Sequence, residues 1–246
     1  KKMQYFNEWS AVRSTYADLK HALTKKTNHV DALINLTNLF IAEARITGEH
    51  GHYYPAALNT IEYALQQKNI SKDQKFLALS AKASVQLSLH HFKDALKTAE
   101  TAQLQNPYNA SIYGALIDAH VELGDYKNAV SLADKMVSMR PDLRSYSRVS
   151  YLREIYGMPE ESIKAMQMAV EAGSPGSEEK AWAALQLAQL CIRYNKMDEG
   201  SSILNQILEE RPDYPFAKAS LATVYIKQAK YKEAEKELKD ACQIIP

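Results

Sequence analysis

The sequence predicts an all-α fold assembled from repeated helix-turn-helix units, and three observations carry that prediction. Prolines recur at a fixed interval: Pro107, Pro141 and Pro175 follow one another at 34 residues, and so do Pro212 and Pro246. Between Tyr108 and Pro141 the chain reads as two short amphipathic helices joined by a tight turn at Gly124-Asp125. Gly and Pro are scarce, eight of each in 246 residues, as a mostly helical chain requires. A period of this length, closed by proline, belongs to a helical repeat in which each unit buries its apolar face on its neighbours.

Within that unit Tyr113, Leu116, Gly124, Tyr126, Ala129, Ala133 and Pro141 stand at aromatic, leucine, turn, alanine and closing positions. In this pattern the chain resembles the tetratricopeptide repeat (TPR) family. The resemblance implies a right-handed α-α superhelix of about six helix-turn-helix units, preceded by an N-terminal helix. It also implies a job: binding a protein or peptide in a concave groove, without enzymatic activity.

Taken in order, residues 1–29 carry Trp9, Val12, Tyr16, Leu19 and Leu23 at alternating spacings of three and four, between Tyr5 and about Lys26. That is one apolar stripe on a single helix, expected to pack on the helices after it as a half repeat or cap. The first full unit spans about 30–70. From Phe40 to Ala57 is 17 residues, against nine from His120 to Ala129, so eight are inserted. They are expected to surface as the turn TGEHGHYYP, with Pro55 near the start of the second helix. The second unit, 76–107, has Leu79, Ala83, Ala95, Ala99 and Ala102 in place, with His90-His91 where the family has a glycine turn. The third is 110–141. The fourth, about 143–175, runs into EAGSPGSEE, where Gly173, Pro175 and Gly176 point to a hinge. Units five (181–212) and six (215–246) complete the array. The sequence stops at Pro246, where many arrays of this family add a polar capping helix, so Leu238, Ala241, Ile244 and Ile245 are expected to leave an apolar edge, for further chain or a second copy to cover.

Composition narrows the chemistry. Hydrophobic residues make up 46% and charged residues 24%, the balance of an ordinary folded protein. Thirty basic against 29 acidic side chains leave a net charge of +1; nucleic-acid binding would need a basic face, nothing in that balance demands one, and no nucleic-acid partner is expected. No apolar run is long enough to span a membrane. The chain opens Lys1-Lys2-Met3 without a signal-like stretch, but a start without methionine points to a trimmed chain, so the compartment is not read. Cys191 and Cys242 sit at different repeat positions and are expected to be buried small hydrophobes rather than a disulfide. No glycine-rich phosphate loop, CxxC, HExxH or GxSxG is present, and no cofactor is expected.

One side-chain cluster stands apart from the repeat. His50 and His52, beside Glu49, lie in the insertion, and His90 and His91 in the next turn. Turns of successive units share an edge, so these imidazoles are candidate zinc ligands for an alternative, metal- or small-ligand-binding reading. Their spacing matches no established zinc signature, and a loop packed over the neighbouring turn is the plainer reading. His120 occupies a core position and is read as structural.

The family resemblance implies the binding face. The inward positions of its first helices fall here on Asn35, Asn38, Ser80, Ser84, Asp118, Glu122, Arg144, Arg148, Tyr151, Gln186, Gln189, Arg193, Thr223 and Lys227. The groove is thus expected to be acidic at Asp118 and Glu122 and basic at Arg144, Arg148 and Arg193. Some family members grip a chaperone's C-terminal carboxylate with a lysine–asparagine clamp. Asn38 fits one clamp position, but Ile34, Ala81, Ser111 and Ala115 replace the others, which argues against that ligand. A third reading is a homo-oligomerisation module paired through the C-terminal unit.

Overall fold

The computed structural model describes residues 8–244, which form thirteen helices joined by turns. Tyr5, Ile245 and Pro246 lie outside them. A lone helix, α1 (Glu8–Lys25), precedes six hairpins. These are α2 (Val30–Thr47) with α3 (His50–Leu65), α4 (Lys72–Ser88) with α5 (Phe92–Gln105), and α6 (Ala110–Glu122) with α7 (Tyr126–Met139). Then come α8 (Leu143–Ile155) with α9 (Pro159–Glu171), α10 (Glu178–Arg193) with α11 (Met197–Glu210), and α12 (Pro215–Lys227) with α13 (Tyr231–Ile244). The chain divides between Met139 and Arg140 into two compact units, α1–α7 and α8–α13.

Small residues set the hairpin spacing in the first unit. Ala57, Ala64, Ala95, Ala99, Ala102 and Ala129 are fully buried, which lets helix axes close to about 8 Å. Large side chains fill the rest: Val30, Leu33, Ile34 and Ile61 cluster with Ala78 and Ala81. Tyr113 is also fully buried, and its hydroxyl donates to the Pro107 carbonyl at 2.7 Å, so the aromatic is wholly satisfied. Helices α2, α4 and α6 touch in succession, whereas α3, α5 and α7 touch only members of that row. The row of first helices is therefore the inner layer of this unit.

The second unit repeats the plan, with α8, α10 and α12 touching in succession. Leu143, Ile163, Met166, Leu187 and Cys191 form one core, and Leu185, Ile192, Leu204, Tyr214 and Leu221 the next. Serines take alanine's place between α8 and α9: the Ser150 hydroxyl donates to the Ser162 carbonyl at 2.8 Å. Side chains cap several helices, with capping boxes at Ser71/Gln74 and Asp142/Ser145. Each tight hairpin turn needs one left-handed residue. Gly124 and Gly157 supply it, and His90, Asn195 and Ala229 adopt the same conformation at φ of 59 to 63°. The His90-His91 turn therefore has the geometry of the glycine turns.

Four expectations are corrected. The eight inserted residues do not surface as a turn: α2 runs on to Thr47, α3 starts at His50, and only Gly48 and Glu49 lie between. Pro55 thus falls inside α3. The added turns pair with each other, burying Ala44 and Tyr54 against Val85 and setting Phe40 6.0 Å from Tyr53. A loop would have left that apolar surface in water. The α1 stripe packs incompletely: Trp9, Val12, Leu19 and Leu23 are half-buried and Leu23 joins the core, while no described residue of α1 is fully buried and Tyr16 is 45% exposed.

The EAGSPGSEE link is not where the chain divides. Gly173 is buried, with Lys180 and Leu143 so close that a Cβ would meet them at 2.9 and 3.1 Å. The buried Arg211 donates to the Gly176 carbonyl at 2.8 Å. Lastly, Cys191 is buried but Cys242 is exposed, and on the C-terminal edge Leu238 is 41% exposed while Ala241 is buried against its own hairpin.

Candidate functional site

The positions expected to face inward in the first unit lie along α2, α4 and α6. Asn35 and Asn38 sit on one side of α2, exposed, and their amides make no hydrogen bond to the described residues. Beside them α4 offers the half-buried Ser80 and Ser84, whose small side chains keep the floor shallow, and Leu77, 49% exposed. On α6 Asp118 is half-buried and Glu122 exposed, one helical turn apart. This face is mostly polar, with Leu77 as its one large apolar side chain among the residues named, and acidic at its α6 side.

The second unit is wired differently. Arg144 reaches Glu179 at 2.7 Å, from α8 to α10. Arg193 forks onto Glu154 at 2.7 and 3.3 Å, and Tyr194 donates to the same carboxylate at 3.3 Å. Burial, then the Glu154 charge, raises the Tyr194 phenol above its ordinary value. Gln189 donates to the Ser220 hydroxyl at 3.1 Å, and Lys227 to the Ile192 carbonyl at 3.4 Å, each bridging α10 and α12. Arg148 folds onto its own helix at the Arg144 carbonyl, 3.0 Å away. Tyr151 is 50% exposed, Gln186 half-buried and Thr223 bonded to the Ala219 carbonyl.

Two of the arginines expected to make the groove basic are thus already paired with glutamates across the α8–α10 contact, Arg144 with Glu179 and Arg193 with Glu154. Exposed pairs of this kind add little stability, but they hold the side chains in register and cancel their charge toward a ligand. Sequence reasoning missed Glu154, Glu179 and Ser220. The signal existed: the paired residues are separated by 39, 35 and 31 positions, each near one repeat.

The histidines are not brought together. His50 and His52 stand in the first turn of α3, with rings 5.1 Å from Tyr54 and 4.9 Å from Tyr53. His90 packs edge-on to Phe92 at 5.5 Å, and His91 precedes α5 as its cap residue. Among the described residues no group of three or more His, Cys, Asp or Glu is arranged to hold a metal ion. His120 faces its own turn, with Nδ1 3.0 Å from Asp125. No described helix is long and apolar enough to cross a membrane.

No protein-family model matches the chain. It is 27% identical over 141 residues, 57% of its length, to the TPR repeat-containing protein YpiA of Bacillus subtilis. It is also 27% identical over 117 residues, 46% of its length, to the small glutamine-rich tetratricopeptide repeat-containing protein 2 of Saccharomyces cerevisiae. In both cases the matched part spans 32% of the relative. Among solved structures it is similar in fold to a tetratricopeptide repeat protein from Parabacteroides merdae. That match has a TM-score of 0.64 and 18% identity, and covers 97% of this chain and 89% of the other.

Proposed function

The chain is a tetratricopeptide repeat protein, and from that premise we propose that it is a non-enzymatic scaffold whose inner-layer helices hold an extended protein or peptide segment. The observation that carries this reading is the state of Asn35 and Asn38. Both amides are exposed on the inner layer and unspent, so each can donate to and accept from a peptide backbone. In the second unit Tyr151 and Gln186 are the corresponding contacts, an aromatic face and an amide beside a charge-balanced lattice. Arg144, Arg193 and Gln189 position that lattice.

The test is selection of binding peptides from a random displayed library, followed by anisotropy titration of the winners. Asn35→Ala with Asn38→Ala, or Tyr151→Ala with Gln186→Ala, should weaken binding by about tenfold or more. Replacing His50, His52, His90 and His91 together should leave it intact. Peptides that bind all inner-layer variants as tightly as the parent would remove the proposal.

A further inference from the structure

We propose that the outward face of α12 and α13 associates with the same face of a second copy of this chain. Ile226 on α12 and Tyr231 and Leu238 on α13 are 48%, 66% and 41% exposed. With Ala234, Glu235, Lys239 and Cys242 they line an open depression of about 360 Å³. Along α13 the row Tyr231, Glu235, Leu238, Lys239, Cys242 has the spacing of a single helix face. The inner flank of the helix is already used: Ala241 is buried within the hairpin, and Ala234, at the floor of the depression, is only 3% exposed. The large apolar side chains of α13 therefore point away from the unit that carries them, the mark of an association surface.

The charges on the face identify its occupant. Glu235 and Lys239 pair with each other at 2.6 Å, and both are more than 60% exposed. They stand at equal distances on either side of position 237. A two-fold axis crossing α13 there runs the two copies antiparallel and sets Glu235 of each against Lys239 of the other. At 1.5 Å per residue it also brings the two Leu238 side chains within about 3 Å of each other along the helix. Glu237, level with the axis, lies on the other flank of the helix beside Lys218, 3.9 Å away, so no like charge faces itself across the contact. An isologous contact sets the same patch of both copies against itself, and a face whose acid and base exchange on rotation is self-complementary in charge. One helix pair buries less than the roughly 800 Å² per partner of a standard interface, so the dimer is weak and concentration-dependent.

Sedimentation of the purified chain over a concentration series tests this directly. The parent should pass from monomer to dimer. Leu238→Lys should raise the dissociation constant by about tenfold or more, and Glu235→Lys or Lys239→Glu alone should also raise it. The double exchange Glu235→Lys with Lys239→Glu should restore dimerisation. Leu238→Cys in a Cys242→Ser background should form a covalent dimer under mild oxidation. Because these side chains are exposed, circular dichroism should show every variant folded. A parent that stays monomeric at all concentrations would overturn the proposal. So would a dimer indifferent to Leu238→Lys, or a double exchange that fails to restore association.

Discussion

At the scale of residues the repeat rests on who is small. Gly200 on α11 faces α10 so closely that an added Cβ would lie 2.7 Å from Ile192 Cγ1 and 3.0 Å from the Ala188 carbonyl oxygen. Gly200→Ala gains about 1 kcal/mol of helix propensity. Overpacking costs about 1–3 kcal/mol, and here the obstacle includes backbone that cannot rotate away. Overpacking should win, so the variant should melt below the parent in thermal unfolding; a higher melting temperature would mean the two helices are not so close. Such positions were legible in the sequence, because Ala95, Ala99, Ala129 and Ala133 stand out at fixed spacing and all are buried. The pairing of Arg193 with Glu154 was not, since each residue alone looks like an ordinary surface charge. Only a reading of charges one repeat apart would have joined them.

At the scale of elements the turn between α6 and α7 is the most fully bonded by side chains. Asp125 accepts from the Asn128 amide at 2.7 Å and lies 3.0 Å from His120. The Asn128 hydrogen bond first, with the His120 charge and hydrogen bond assisting, holds the Asp125 carboxyl below its ordinary value of 3.8. A lowered folded-state value means the contribution is present above the unfolded value and is lost as pH falls through the folded one. Thermal stability should therefore drop below about pH 4, and Asp125→Asn should flatten part of that drop. An unchanged acid profile in the variant would show that the turn does not contribute. Helix identity was readable from the 3.6-residue pattern, but the reach of α2 and α3 was not. Gly51 and Pro55 in HGHYYP look like breakers, and only the partner helix shows what Tyr53 and Tyr54 gain by continuing.

At the scale of the whole molecule, the all-α repeat was legible because period and small-residue pattern agree. The division at Met139 was not, since Pro141 closes its unit as regularly as Pro107 does. Glycine-rich composition pointed instead to the link at Gly173, which the fold packs tight against Leu143. The proposed scaffold requires that ligand contacts fall on the inner layers and nowhere else. A selected peptide carrying a photoreactive group, cross-linked to the chain and mapped by mass spectrometry, measures that placement directly. The cross-links should fall on exposed positions of α2, α4 and α6 or of α8, α10 and α12, including Asn38 or Tyr151. Cross-links concentrated on α3, α5, α7, α9 or α11, or around His50 and His52, would contradict it.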